Sequence, residues 1–85
     1  MADAKEQKLG QVISDRRRQL GLTQQELARR IKTSTPYVGH LESGERTPSD
    51  KVLRRLAQAL GLDRRELFIL VHPGAMGVPS EPKKA

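Results

Sequence analysis

The sequence contains no cysteine and only two aromatic residues, Tyr37 and Phe68. Without cysteine, the chain can form neither a disulfide framework nor a thiolate metal site. Its two histidines, His40 and His72, stand too far apart in the sequence to form a metal site alone. The scarcity of aromatic side chains argues against a strand-rich fold and against a surface that stacks single-stranded bases.

Long apolar runs are also missing, so we expect no membrane-spanning segment, and the first residues do not resemble a signal peptide. With 85 residues, of which about seventy can fold, the chain is expected to be one domain near the lower size limit for an unstapled core. No nucleophile–base pair, phosphate-binding loop or metal-ligand spacing is visible. We therefore expect neither an enzyme nor a cofactor. The net charge of +6 favours an anionic partner.

Apolar spacing, capping residues and glycine stops predict five short helices and no strand, which is an all-α fold. The first helix is expected from Lys5 to Leu20, with Leu9, Ile13 and Leu20 on its apolar face. The start signals of the four later helices are a capping box in residues 23–26, residues 33–36, Ser49 and a cap in residues 63–66, and the last helix is expected over residues 67–71.

The folded domain is expected to span residues 5–72. A flexible N-terminus at residues 1–4 precedes it, and a disordered tail at residues 73–85, rich in proline, glycine and lysine, follows it. Within the domain, only two or three residues separate the second helix from the third. Helices joined by so short a turn must cross steeply, as in a helix-turn-helix unit. Val38 and Leu41 are the expected buried positions of the third helix.

Several short motifs keep a fixed mutual spacing: LGLTQQELA at residues 20–28, YV at 37–38, LESG at 41–44, PS at 48–49 and LAQALG at 56–61. Together they resemble the phage repressor and Cro family of helix-turn-helix regulators, the xenobiotic response element type, over residues 9–70. The resemblance implies a five-helix, lambda-repressor-like DNA-binding domain with the helix-turn-helix at about residues 24–43. It also implies binding to double-stranded DNA, usually as a dimer on a palindromic operator.

The outward face of the third helix is the expected base-contacting surface, because the major groove admits one helix. With Val38 and Leu41 buried, this face is a stripe of four residues: Thr35, Pro36, Gly39 and His40. Thr35 offers a methyl and a hydroxyl, and His40 can bond a purine N7. The stripe has no Arg, Asn or Gln for bidentate base contacts, so shape readout is expected to contribute more than direct readout.

Each residue of this stripe also has a plainer interpretation. Thr35 and Pro36 are typical of a helix start, and either Ser34 or Thr35 can be the cap. Gly39 costs about 1 kcal/mol inside a helix, so it either permits close approach to DNA or is tolerated slack. His40 is either a base contact or an ordinary exposed histidine.

Contacts to the DNA backbone are expected from residues around the third helix. Gln24 opens the second helix, where its side chain and the terminal amides can hold a phosphate. Tyr37 is either a phosphate contact through its hydroxyl or a residue at the rim of the core. Lys32 stands where many relatives have glycine, and a left-handed backbone there would be slightly strained. The expected set is completed by residues that follow the third helix: Ser43, Arg46, Thr47 and Lys51.

The resemblance assigns a structural role to another pair, Arg17 and Glu42, as a partly buried salt bridge between the first and third helices. Such a pair fixes geometry more surely than it adds net stability. Arg16 stands where many relatives have leucine, which thins the apolar face of the first helix. The arginines expected on solvated faces are Arg54, Arg55, Arg64 and Arg65.

The last helix is the expected dimer surface. Its residues 67–71 are all apolar, and a short terminal helix can bury only one face in its own domain. Leu67 and Leu70 share one face and are expected to pack inward, which leaves Phe68 or Val71 exposed as an association patch. The alternative is that the tail covers this patch in a monomer.

We therefore predict a sequence-specific transcriptional regulator, most simply a repressor, in the cytoplasm with the nucleoid, that acts as a homodimer at least on DNA. Two alternatives stay open. One is an antitoxin-type autoregulator with an unidentified protein partner, for which the tail at residues 73–85 would be the binding surface. The other is a protein-interaction module that no longer contacts DNA, which the neutral stripe favours and the nearly complete motif opposes.

Overall fold

The computed structural model describes the backbone of residues 3–72 and the side chains from residue 9 onward. The tail expected at residues 73–85 and the first two residues lie outside this range. The described chain forms five helices and no strand, which confirms the all-α expectation: α1 (Asp3–Gln19), α2 (Gln24–Arg30), α3 (Thr35–Ser43), α4 (Asp50–Leu60) and α5 (Arg64–Val71).

Side-chain caps start the four later helices where the sequence predicts them. Thr23, Ser34 and Ser49 each accept a hydrogen bond from the backbone N–H three residues on, and Asp63 accepts one from two residues on. These bonds satisfy amide groups that have no partner inside the helix. Ser34, not Thr35, therefore caps α3. α5 begins at Arg64, three residues before the expected start, because Asp63 serves as its cap.

The core is one apolar cluster to which every helix contributes. α1 packs on α3 and α5, α2 packs on α3, and α4 packs on α5. Its buried members include the expected Leu9, Ile13, Val38 and Leu41. Leu20 is the exception, since it is 44% exposed. α1 ends at Gln19, so Leu20 lies in the turn beyond it, where helical periodicity no longer applies.

Two arginine side chains donate hydrogen bonds to carbonyl groups at the C-terminal ends of neighbouring helices. Arg16 Nε donates to the Leu60 carbonyl oxygen at 2.8 Å, and Arg55 Nη1 donates to the Ile31 carbonyl oxygen at 3.4 Å. The last carbonyls of a helix lack intrahelical partners, and these guanidinium groups supply them. Arg16 and Arg55 are half-buried as a result. The expectation that Arg55 lies on a solvated face is therefore wrong.

Gly10 sets the distance between α1 and α3. A Cβ placed on Gly10 would lie 2.8 Å from the carbonyl oxygen of Leu41 and would also collide with the carbonyl oxygen of Glu42. The obstructing atoms belong to the backbone of α3 and cannot rotate away. Any side chain at this position must therefore push the two helices apart.

We expect Gly10→Ala to destabilise the domain by about 1–3 kcal/mol, the usual cost of overpacking a close contact. Gly39→Ala is the matched control, because a Cβ at Gly39 would meet no atom within 4 Å beyond its chain neighbours and the nearby backbone of α3. Relief of the glycine penalty should stabilise that variant by up to about 1 kcal/mol. Urea unfolding measures both changes. A Gly10→Ala variant as stable as the wild type would contradict the close approach.

Candidate nucleic-acid interface

The turn between α2 and α3 is short and tightly hydrogen-bonded. The Thr33 N–H donates to the Ala28 carbonyl oxygen at 2.8 Å, which folds the chain back over the end of α2. Lys32 has a φ of 60°, in the left-handed region that favours glycine. Lys32 is therefore slightly strained, and its exposed cation lies in the turn between the two helices, beside the start of α3.

A buried carboxylate fixes how α3 sits against the rest of the domain. Arg17 Nε donates to Glu42 Oε2 at 2.6 Å, and Arg17 Nη2 donates to Glu42 Oε1 at 3.2 Å. Gln24 Nε2 donates to the same Oε1 at 3.0 Å, and Arg17 Nη1 donates to the Leu22 carbonyl oxygen at 2.9 Å. The side chains of Arg17 and Glu42 are only 11% and 9% exposed. The pair that the resemblance implies is therefore present, as part of a network joining α1, the start of α2 and α3.

The first turn of α2 is closed by a reciprocal capping box. The Glu26 N–H donates to Thr23 Oγ1 at 3.0 Å, and the Thr23 N–H donates to Glu26 Oε1 at 2.8 Å. The backbone hydrogen bond from Thr23 lowers the pKa of the Glu26 carboxyl below its ordinary value. The stabilisation by Glu26 is therefore complete above the ordinary pKa of glutamate. It is lost as the pH falls through the lowered value of the folded state.

The stripe of candidate base contacts lies on the surface of α3. Pro36 and His40 are exposed, and Thr35 and Gly39 are half-buried, while Val38 is fully buried on the opposite side. Apart from its chain neighbours and the nearby backbone of α3, no atom lies within 4 Å of a Cβ built on Gly39, so the fold itself does not require glycine there. The stripe is thus open to a ligand along its length.

The segment after α3 carries candidate contacts to the DNA backbone. Pro48 is buried and anchors the loop, while Arg46, Thr47 and Lys51 are exposed. None of these three side chains has an ion pair or hydrogen bond to another described residue. They are therefore free to meet phosphates. Ser43 differs, because its hydroxyl donates to the His40 carbonyl oxygen at 3.2 Å.

Tyr37 and Gln24 are partly committed to the fold. Tyr37 is half-buried and packs against the apolar core, which agrees with its interpretation as a residue at the rim of the core. One N–H of the Gln24 amide is used by Glu42, which leaves its other N–H and its oxygen available at the start of α2. Tyr37 lies on α3 itself, and Gln24 is joined to α3 through its hydrogen bond to Glu42.

Glu45 is a residue of this surface that the sequence analysis missed. His40 Nδ1 and Glu45 Oε1 lie 2.5 Å apart, and both side chains are largely exposed. Residues five apart are not neighbours on a helix surface, so spacing alone does not predict this pair. The contact forms because the chain turns at Gly44, whose φ is 86°.

Other kinds of site are absent from the described part of the chain. The side chains of residues 9–72 include no group of three or more metal-ligating residues. None of the described helices is long and apolar enough to cross a membrane.

Comparison with known proteins is consistent with this geometry. The family model described as helix-turn-helix matches residues 13–67, which contain α2, α3 and α4 in full. An uncharacterized HTH-type transcriptional regulator of Methanothermobacter thermautotrophicus is 42% identical over 65 residues, which make up 75% of this chain and 94% of that protein. The ImmF control region 10 kDa protein of Bacillus phage phi105 is 40% identical over 74% of this chain and 68% of its own length.

Solved structures show the same arrangement. The restriction-modification controller protein C.AhdI from Aeromonas hydrophila superposes with a TM-score of 0.68 at 38% identity. The superposition covers 76% of this chain and 94% of that one.

The Arg17 network generates a stability prediction. Arg17→Ala leaves Glu42 mostly buried without its cation, and breaking such a pair typically costs about 3–5 kcal/mol. Arg18→Ala is the matched control, because Arg18 is exposed on the same turn of α1. Thermal unfolding followed by circular dichroism should show a much lower Tm for Arg17→Ala alone. Equal melting temperatures for the two variants would show that the network does not hold the fold.

Proposed function

The chain belongs to the Cro/C1-type helix-turn-helix family of DNA-binding transcription regulators, and we propose that it is a repressor that binds a palindromic operator as a homodimer. The family consists of DNA-binding regulators rather than enzymes. The observation that carries the proposal is the open stripe on α3, held in place by the buried Arg17–Glu42 pair. Repression then follows from occupancy, because a bound dimer covers DNA that a polymerase needs. Such a protein works in the cytoplasm with the nucleoid.

The division of labour on this surface follows the chemistry of its residues. The base edges in the major groove are faced by the four residues of the stripe: Thr35, Pro36, Gly39 and His40. The sugar-phosphate chains are faced by the residues around it: Gln24, Lys32, Tyr37, Ser43, Arg46, Thr47 and Lys51. Phosphate contacts set the position of the domain on the duplex, and base contacts set its sequence preference. Similarity to a phage control-region protein and a restriction-modification controller supports a role in gene control.

The second copy is expected to associate through α5. Phe68 is 38% exposed, and Val71 is half-buried beside it, while Leu67 is buried. A groove of about 430 Å³ lies next to Phe68, between α4 and α5. We take the partly exposed ring of Phe68, at the edge of this groove, as the centre of a small association site. Because this patch is small, we expect the free protein to be largely monomeric at low concentration and to dimerise on DNA.

Two copies are also needed for selectivity. A domain of this size contacts only about four to six base pairs, which is too few for a unique genomic site. A two-fold dimer doubles the site and places the half-sites about one helical turn of DNA apart.

Selection of bound sites from a random duplex library tests the proposed function. The wild type should enrich a palindrome, and Thr35→Ala and His40→Ala should each change the preference at one base pair of the half-site. A lost specific contact should cost about 1–3 kcal/mol there. Failure of the wild type to enrich any site would favour a protein-interaction module, and identical sites for all three proteins would remove the stripe from the interface.

The phosphate contacts have their own signature. Arg46→Ala and Lys51→Ala should weaken binding to all duplexes about equally, and each should lower the slope of log K against log salt by about one. Arg18→Ala, which removes the same charge from α1, should leave the slope unchanged. A slope that neither Arg46→Ala nor Lys51→Ala alters would place both residues outside the interface.

The double variant Phe68→Ala and Val71→Ala tests the dimer surface. It should keep its helical signal and lose cooperative binding to the palindrome, because apolar contacts between the two copies are removed. Gel shift and sedimentation on the selected duplex measure cooperativity and stoichiometry. Wild-type affinity at two copies per duplex would mean that the dimer forms elsewhere.

A further inference from the structure

Glu45 is tied to the end of α3 through its backbone. Its N–H donates to the His40 carbonyl oxygen at 2.9 Å and to Ser43 Oγ at 3.4 Å. Gly44 supplies the left-handed turn that makes these bonds possible. The turn therefore brings the side chain of Glu45 to the last turn of α3, where it contacts the imidazole of His40.

The contact between the two side chains selects the tautomer of the neutral ring. An ionised carboxylate can only accept hydrogen bonds, so the proton in the Nδ1···Oε1 contact belongs to His40. A neutral imidazole carries one N–H, which leaves Nε2 with a lone pair and no proton. Among the described residues, no other group hydrogen-bonds the ring of His40. Nε2 is thus the ring nitrogen available to a ligand.

We propose that Glu45 is a positioning residue that makes His40 select a base carrying an amino group. The proposal rests on the proposed function, because it concerns a candidate base contact. In the major groove, adenine N6 and cytosine N4 present amino donors, whereas purine N7, guanine O6 and thymine O4 present acceptors. With Nδ1–H held by Glu45, the neutral ring accepts at Nε2 and pairs with the amino groups. This replaces the expectation that His40 donates to a purine N7.

The role of Glu45 is one of selectivity rather than of stability or affinity. The side chains of His40 and Glu45 are 46% and 65% exposed, and exposed pairs of this kind contribute little to folding. A carboxylate beside DNA also opposes binding to every duplex through its charge. Because Glu45 adds little stability and its charge weakens binding to every duplex, the contribution that we expect from it is discrimination between bases.

The tautomer is measured first, without DNA. Imidazole nitrogen NMR at about pH 8, where a histidine is ordinarily neutral, should show a protonated Nδ1 and a bare Nε2 for His40. Loss of signals in His40→Ala assigns them against His72. In Glu45→Ala the two tautomers should mix, because the acceptor at Nδ1 is gone while the backbone N–H that closes α3 remains. A wild-type ring protonated at Nε2 would overturn the proposal.

Discrimination is measured next, on the site selected by the wild type, with all four base pairs placed in turn at the position that depends on His40. We expect Glu45→Ala to reduce the affinity ratio between amino-presenting and other bases about three- to tenfold, the range for one hydrogen bond. In a His40→Ala background the same change should have no effect on the ratio. Asp15→Ala, which removes an exposed negative charge from α1, is the control and should leave the ratio unchanged.

The outcomes separate this proposal from the proposed function. A wild type that enriches no site contradicts sequence-specific binding, while the tautomer measurement still tests the role of Glu45. If the base preference at the position that depends on His40 is unchanged in Glu45→Ala, the positioning role is wrong and the proposed function still stands. A uniform rise in affinity for all duplexes, with unchanged ratios, would show that Glu45 acts only through its charge.

Discussion

Glu42 lies on the helix proposed to enter the major groove, yet its carboxylate is buried inside the domain. It accepts hydrogen bonds from Arg17 on α1 and Gln24 on α2, so three helices meet at one charged group. A buried carboxylate without its partners is costly, so the three helices are held in one relative orientation. The direction in which the stripe on α3 faces depends on this constraint, and so does the start of α2 beside it.

The positive charge of the chain is only partly a guide to its DNA-binding surface. Arg16, Arg17 and Arg55 are used inside the fold, where they hold helix ends and the buried carboxylate. Arg46, just after α3, and Lys51, in the first turn of α4, are exposed, and we expect them to carry the electrostatic part of the proposed interface. A small domain without disulfides thus uses arginine for architecture as much as for contact with an anion.

Local features of the fold were predictable from residue patterns, whereas tertiary contacts were not, apart from the Arg17–Glu42 pair that the family resemblance implied. Caps such as Ser34 and Ser49 follow from chemistry within four residues, and the structure contains both. Leu20 was misassigned because a helical period was continued past the end of α1. The collision at Gly10 and the pairing of His40 with Glu45 depend on how separate segments meet, which no periodicity encodes. The base and phosphate contacts remain predictions, since their geometry depends on DNA.

We propose that α3 and its flanking segments form the DNA-binding surface, oriented by the buried network behind them. The most direct measurement is an NMR titration of labelled protein with a duplex carrying the selected site. We expect the largest amide shifts on the first turn of α2, along α3 and through residues 46–51. Shifts confined to α4 and α5, with α3 unaffected, would contradict it.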